Sequence, residues 1–129
     1  MSETRTRIRR LLDAELGECG KGDVDQRLEE LQGMADRVFD NDPARQPFAV
    51  LGNETRYRLA RVLAVAEGEL CVCELESVVD VSESAVSHAL SDLVDAGLVE
   101  RRKDGNWRYY RTTPLAEALF DAATEDETR

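Results

Sequence analysis

Val81 to Thr112 reads VSESAVSHALSDLVDAGLVERRKDGNWRYYRT, and this stretch decides the fold. Val86, Ala89, Leu90, Leu93 and Val94 recur at helical spacing between Glu83 and Ala96, which predicts a helix with one apolar stripe. Ser82 is a good N-cap, and Glu83 then sits favourably against the positive helix end. Ser84, Ser87, His88 and Ser91 fall on another face, and Gly97 supplies the stop. Leu98–Arg102 and Trp107–Thr112 read as two strands around Lys103-Asp104-Gly105-Asn106, a segment with hairpin turn chemistry. A capped helix followed by a basic hairpin predicts a winged helix-turn-helix. The expected class is mainly α (α+β), with a two-stranded β-wing and flanking dimerisation helices.

Immediately upstream lies Glu69-Leu70-Cys71-Val72-Cys73-Glu74-Leu75, read as the start of a short helix from about Leu70 to Val79. Before it, a helix is expected from near Pro47, carrying Leu59, Val62, Leu63 and Ala66 and ending at Gly68. Further out, Val24, Leu28, Leu31, Ala35 and Val38 form a helical stripe, followed by a linker from Asp40 to Pro47. Gly17, Gly20 and Gly22 interrupt residues 1–23, so these are expected to be a flexible N-terminal segment. Residues 24–129 are then the winged helix-turn-helix domain with its terminal helices. Thr113-Pro114 opens the last of these, with Leu115, Leu119 and Ala122 on one side. The two terminal stripes are not needed to close the winged-helix core. Pairing them across a two-fold axis predicts a homodimer with recognition helices about 34 Å apart.

The formal net charge of −10 is unusual for a protein that binds a polyanion, but its distribution is uneven. Val99 to Thr113 holds Arg101, Arg102, Lys103, Arg108 and Arg111 against Glu100 and Asp104, a local basic patch in an acidic chain. Only two of the 17 basic residues are lysine, against 27 carboxylates, a bias like that of salt-in halophiles. No run of 18 apolar residues exists and no apolar signal core opens the chain, so no membrane partner and a cytoplasmic location are expected. In a reducing compartment Cys19, Cys71 and Cys73 read as ligand, redox or packing groups rather than disulfides. One histidine, with no phosphate loop or nucleophile triad, leaves little acid–base chemistry, so an enzyme is not expected.

LGNETRYRL at Leu51–Leu59, then ELCVCEL, then the stretch quoted first, resembles the ArsR/SmtB family of metal-sensing repressors. The resemblance runs from about Phe48 to Thr112. It implies a dimer that represses efflux or detoxification genes until an ion binds. It further implies that Cys71 and Cys73 are thiol ligands, since members sensing arsenite, antimonite, cadmium or lead carry thiols there. Glu83 and Ala89 depart from the family pattern, which often has glutamine and histidine at those positions.

The residues themselves support that chemistry. Thiolates select soft ions, and three cysteines with one histidine suit a three-sulfur site, so trivalent arsenic or antimony is the favoured effector, with cadmium, lead or zinc as alternatives. Residues two apart on a regular helix point about 200° from each other. Both thiols are therefore expected to reach one ion only if the helix end frays or distorts, which would disturb the recognition helix. Cys19 is the candidate third sulfur, from the same chain or a partner. Ser84, Ser87, His88 and Ser91 are candidates for base contacts, and Arg101, Arg102, Lys103, Arg108 and Arg111 for phosphates of a double-stranded operator. Trp107, Tyr109 and Tyr110 are expected to anchor the hairpin to the core. A thiol redox switch with the same DNA output stays open beside ion sensing.

Overall fold

The computed structural model describes residues 2–17, 21–39, 41–66 and 68–124. The chain divides into two compact units, Met1–Pro43 and Ala44–Arg129.

The first unit is a pair of helices in contact, α1 (Ser2–Leu16) and α2 (Lys21–Phe39). A helix over Ser2–Leu16 replaces the irregular segment expected there. The glycines that prompted that expectation all lie beyond Leu16, and Gly17 ends the helix at φ 82°. Arg5 Nη2 binds Asp25 Oδ1 at 2.6 Å, linking the two helices. On α2, Val24 is buried and Leu28 and Ala35 are half-buried. Leu31, Met34, Val38 and Phe39 remain exposed.

The second unit runs α3 (Arg45–Val50), α4 (Glu54–Val65), β1 (Leu70–Cys71), α5 (Val72–Glu76), α6 (Glu83–Asp95), β2 (Val99–Asp104), β3 (Trp107–Thr112) and α7 (Pro114–Thr124). The single helix expected from Pro47 is two. Asn53 is extended, and its Oδ1 accepts from the Arg56 backbone N–H at 3.0 Å, so it caps α4 and breaks the run. Arg56 Nε then donates to Val50 O at 2.7 Å and ties α3 to α4.

Helix α6 forms where its periodicity predicts. Ser82 Oγ accepts from the Ala85 N–H at 3.1 Å, and Gly97 turns the chain at φ 77°. Its buried face, Val86, Ala89, Leu90 and Leu93, meets Leu59, Leu63, Leu75, Leu98, Val99, Tyr110, Ala116 and Phe120 in one core. Full burial of such a leucine is worth about 1.5–3 kcal/mol, so the inward face outweighs the polar composition around it.

The sheet has three antiparallel strands in the order β1-β3-β2, one more than the expected wing hairpin. Gly105 takes the left-handed turn position at φ 65°. On α7 the stripe of Leu115, Leu119 and Ala122 is distinct from the positions that close the core. Ala116 and Phe120 face the core, while Leu115 and Ala122 are exposed and Leu119 is half-buried. The aromatic ring takes the inward position, edge-on to Tyr57 with ring centres 6.0 Å apart and beneath the Arg61 guanidinium at 5.1 Å.

Candidate effector site and nucleic-acid interface

The thiol pair sits at a junction of strand and helix. Cys71 ends β1 and is the N-cap of α5, with φ −81° and ψ 162°. Cys73 lies in the first turn of α5. Only one of the two is therefore helical, and the 200° separation of a regular helix does not apply. Their Sγ atoms lie 2.6 Å apart. The Cys71 backbone N–H donates to Glu74 Oε1 at 2.9 Å, which holds the extended N-cap in place. No helix distortion is needed to bring the sulfurs together, contrary to the expectation from sequence, because strand pairing has already set the Cys71 backbone. Cys71 is buried and Cys73 exposed.

The hydrogen bond with the Cys71 sulfur pushes the Cys73 thiol above its ordinary range. Desolvation and the Cys71 charge add to this, and backbone N–H groups of Glu74 and Cys73 partly oppose it. Two adjacent sulfurs without an imidazole are a donor set for a soft ion. Among the described residues no group of three or more His, Cys, Asp or Glu side chains is placed to hold a metal. Cys19, the candidate third sulfur, lies outside the described residues.

Strand β1 connects the thiols to the wing. Cys71 is the Cα partner of Tyr109 on β3, and Tyr109 is the partner of Arg102 on β2. The three form one row across the sheet. The Arg102 guanidinium carbon lies 4.7 Å from the centre of the Tyr109 ring. Arg102 also grips Glu69, with Nε 3.0 and 3.1 Å from the two carboxylate oxygens and Nη2 2.8 Å from Oε1. That hydrogen bonding holds the Glu69 carboxyl below the usual carboxylate range, against a smaller desolvation effect. Glu69 carried no signal in the sequence, because its partner is 33 residues away.

On α6, Ser84, Ser87, His88 and Ser91 are all exposed, on the side opposite the core. The wing cations divide by strand alternation. Arg101, Lys103 and Arg108 share the sheet face of the buried Val99 and Tyr110. Arg102 and Arg111 lie on the other face, where Arg111 Nε binds Glu100 at 2.9 Å. Among the described residues Arg101, Lys103 and Arg108 form no ion pair. Lys103 and Arg108 are direct cross-strand partners, a like-charge pairing that destabilises a hairpin unless an anion relieves it. The aromatics split likewise. Tyr110 is buried and anchors the wing, as expected, and Tyr109 is half-buried. Trp107 is 58% exposed and anchors nothing, because the core does not reach the hairpin tip.

The model of the bacterial regulatory protein, arsR family, matches residues 54–101. A Halobacterium salinarum protein named as an arsenical resistance operon repressor is 48% identical over 126 residues, 95% of each chain. A cadmium resistance transcriptional regulatory protein of Listeria innocua is 38% identical over 72 residues, 56% of this chain and 60% of that one. A crystal structure named for transcriptional regulation of arsenical resistance matches with a TM-score of 0.51 at 40% identity, over 61% of this chain and 84% of that chain. Identity at this level along nearly the whole length, on a winged helix of the same plan, shows that this chain belongs to the ArsR family of bacterial regulatory proteins.

Proposed function

We propose that this chain is a transcriptional repressor that leaves its operator when a thiophilic ion occupies Cys71 and Cys73. The observation that carries this reading is the pair of sulfurs 2.6 Å apart, one register step from the wing strand. Arsenite or antimonite is the favoured effector. Two thiolates presented on one side suit a thiophilic centre, and the H. salinarum relative is named for arsenical resistance. Cadmium, lead or zinc is the alternative, and the L. innocua relative is named for cadmium resistance. Cys19 supplies a third sulfur, from the same chain or its partner. An ion bound here supplies only a bridge between thiolates. The chain itself holds Cys71 extended through β1 and keeps Glu74 on the N-cap N–H.

The protein is no enzyme; its work is to bind DNA. Ser84, Ser87, His88 and Ser91 reach base edges in the major groove, and Arg101, Lys103 and Arg108 neutralise phosphates. Arg102 and Arg111, candidates from the sequence, are engaged in ion pairs. The chain acts as a homodimer on a double-stranded operator in the cytoplasm, under the high salt that its carboxylates suit. None of its described helices is long and apolar enough to cross a membrane.

An operator-release assay across arsenite, antimonite, cadmium, lead and zinc tests this reading. The parent should release with at least one ion, and Cys71→Ser with Cys73→Ser should bind DNA but release with none. Release by the serine variants equal to the parent's would remove the thiols from the sensor. The same short sulfur separation favours one second reading, a dithiol redox switch. Free-thiol titration with and without oxidant, beside arsenite stoichiometry, separates the two.

A further inference from the structure

Arg102 differs from the other wing cations in what it touches. It holds Glu69 through a fork of hydrogen bonds, lies over the Tyr109 ring, and comes within 3.9 Å of Asp104. Glu69 stands two residues before Cys71, at the mouth of the strand that carries the thiol. Tyr109 stands opposite Cys71 in the ladder. Two of its three neighbours, Glu69 and Tyr109, are therefore also neighbours of the thiol site. An exposed ion pair adds little to stability by itself. This one is bidentate, its carboxylate side chain is only 26% exposed, and a ring fixes its guanidinium plane, so its content is geometric.

We propose that Glu69 and Arg102 are positioning residues that carry the state of the Cys71–Cys73 pair to the wing. This rests on the reading of that pair as the effector site. When the Cys71 end of β1 adjusts to an ion, Glu69 moves with the strand and Tyr109 with the ladder. Arg102 is held by both, so strand β2 follows, and with it Lys103. The pathway is contiguous: a strand pairing, a bidentate ion pair and one packed ring. Arg101, Lys103 and Arg108 meet phosphate on the opposite sheet face, while Arg102 reports on the thiols.

The test is the ratio of operator affinity without arsenite to that with saturating arsenite, for the parent, Glu69→Gln, Arg102→Gln and the exchange Glu69→Arg with Arg102→Glu. A lost phosphate contact lowers both affinities alike and drops out of this ratio. A lost positioning residue shrinks the ratio itself. Both single variants should bind arsenite with the parent's stoichiometry yet show a ratio about fivefold smaller, within the span of typical coupling between sites. The exchange should recover part of the loss. Arg108→Ala should weaken operator binding with the parent's ratio. If Glu69→Gln does not fold, Arg102→Lys replaces it, keeping the charge but losing the bidentate fork, with the same shrinkage expected. Single variants with the parent's ratio overturn the proposal while leaving the effector site intact. A parent that releases its operator with no ion overturns the effector site and this proposal together.

Discussion

At Cys71 the extended backbone, φ −81° and ψ 162°, turns its sulfur to the same side as that of Cys73. Residue-scale predictions follow from that geometry. The Cys73 thiol carries a raised pKa because its proton is shared with the Cys71 sulfur. Its thiolate fraction at neutral pH is therefore below that of a free cysteine. Alkylation of Cys73 should be slow at pH 7 and should climb only above the ordinary thiol range of about 8.5. Cys71→Ser removes the sulfur that holds this proton and should move that profile to lower pH, as read by mass spectrometry of quenched samples. The wing arginines give a second test. Arg108→Ala should lower the salt dependence of operator binding by about one counterion, whereas Arg102→Ala should leave that slope nearly unchanged.

At the scale of elements, the recognition helix and the wing divide their labour by charge. Helix α6 exposes Glu83, Asp92 and Asp95 and carries no lysine or arginine, so it offers no fixed cationic side chain to a phosphate. Asp92 is partly offset by Arg56 at 3.3 Å. The proposed phosphate contacts therefore rest on the hairpin, where Lys103 faces Arg108 across the ladder. Lys103→Glu turns a like-charge pair into an opposite-charge one. The variant should gain about 0.2–1 kcal/mol of stability in urea unfolding and at the same time lose operator affinity. A variant that lost both would point to a structural role for Lys103. Ser82→Ala should cost about 1 kcal/mol through the lost N-cap of α6, read as a lower unfolding midpoint with an unchanged slope.

For the molecule as a whole, the terminal helices are among the elements that expose apolar side chains. Leu31, Met34, Val38 and Phe39 are exposed on α2, Leu115 on α7 and Val65 on α4. In the proposed homodimer, surfaces of this kind are what the partner would cover. Leu31→Asp or Leu115→Asp, both at exposed positions, should leave the fold intact and shift the chain toward monomer, with weaker operator binding. Sedimentation in molar salt, chosen for a chain of net charge −10, reads the outcome. A monomeric parent with full operator affinity would exclude the dimer.

Much of this architecture is local and was legible residue by residue. Helix α6 needed only its apolar period, Ser82 and Gly97, all within one stretch of chain. The hairpin needed only Lys103-Asp104-Gly105-Asn106 between two short strand-forming runs, and the thiol pair with the helix after it was recognisable as a motif. What the sequence could not disclose depends on partners far along the chain. Strand β1 has two residues, too few for alternation to register, and it is extended because β3 pairs with it. That pairing, and not the local preference for helix, decides that Cys71 and Cys73 converge. The same distance hid the grip of Arg102 on Glu69, and the packing of Phe120 against Tyr57 and Arg61. Periodicity and capping are interactions of near neighbours and are written in order along the chain. Which face a short element turns inward, and which charges meet, is settled only when distant strands and helices compete to bury the same core.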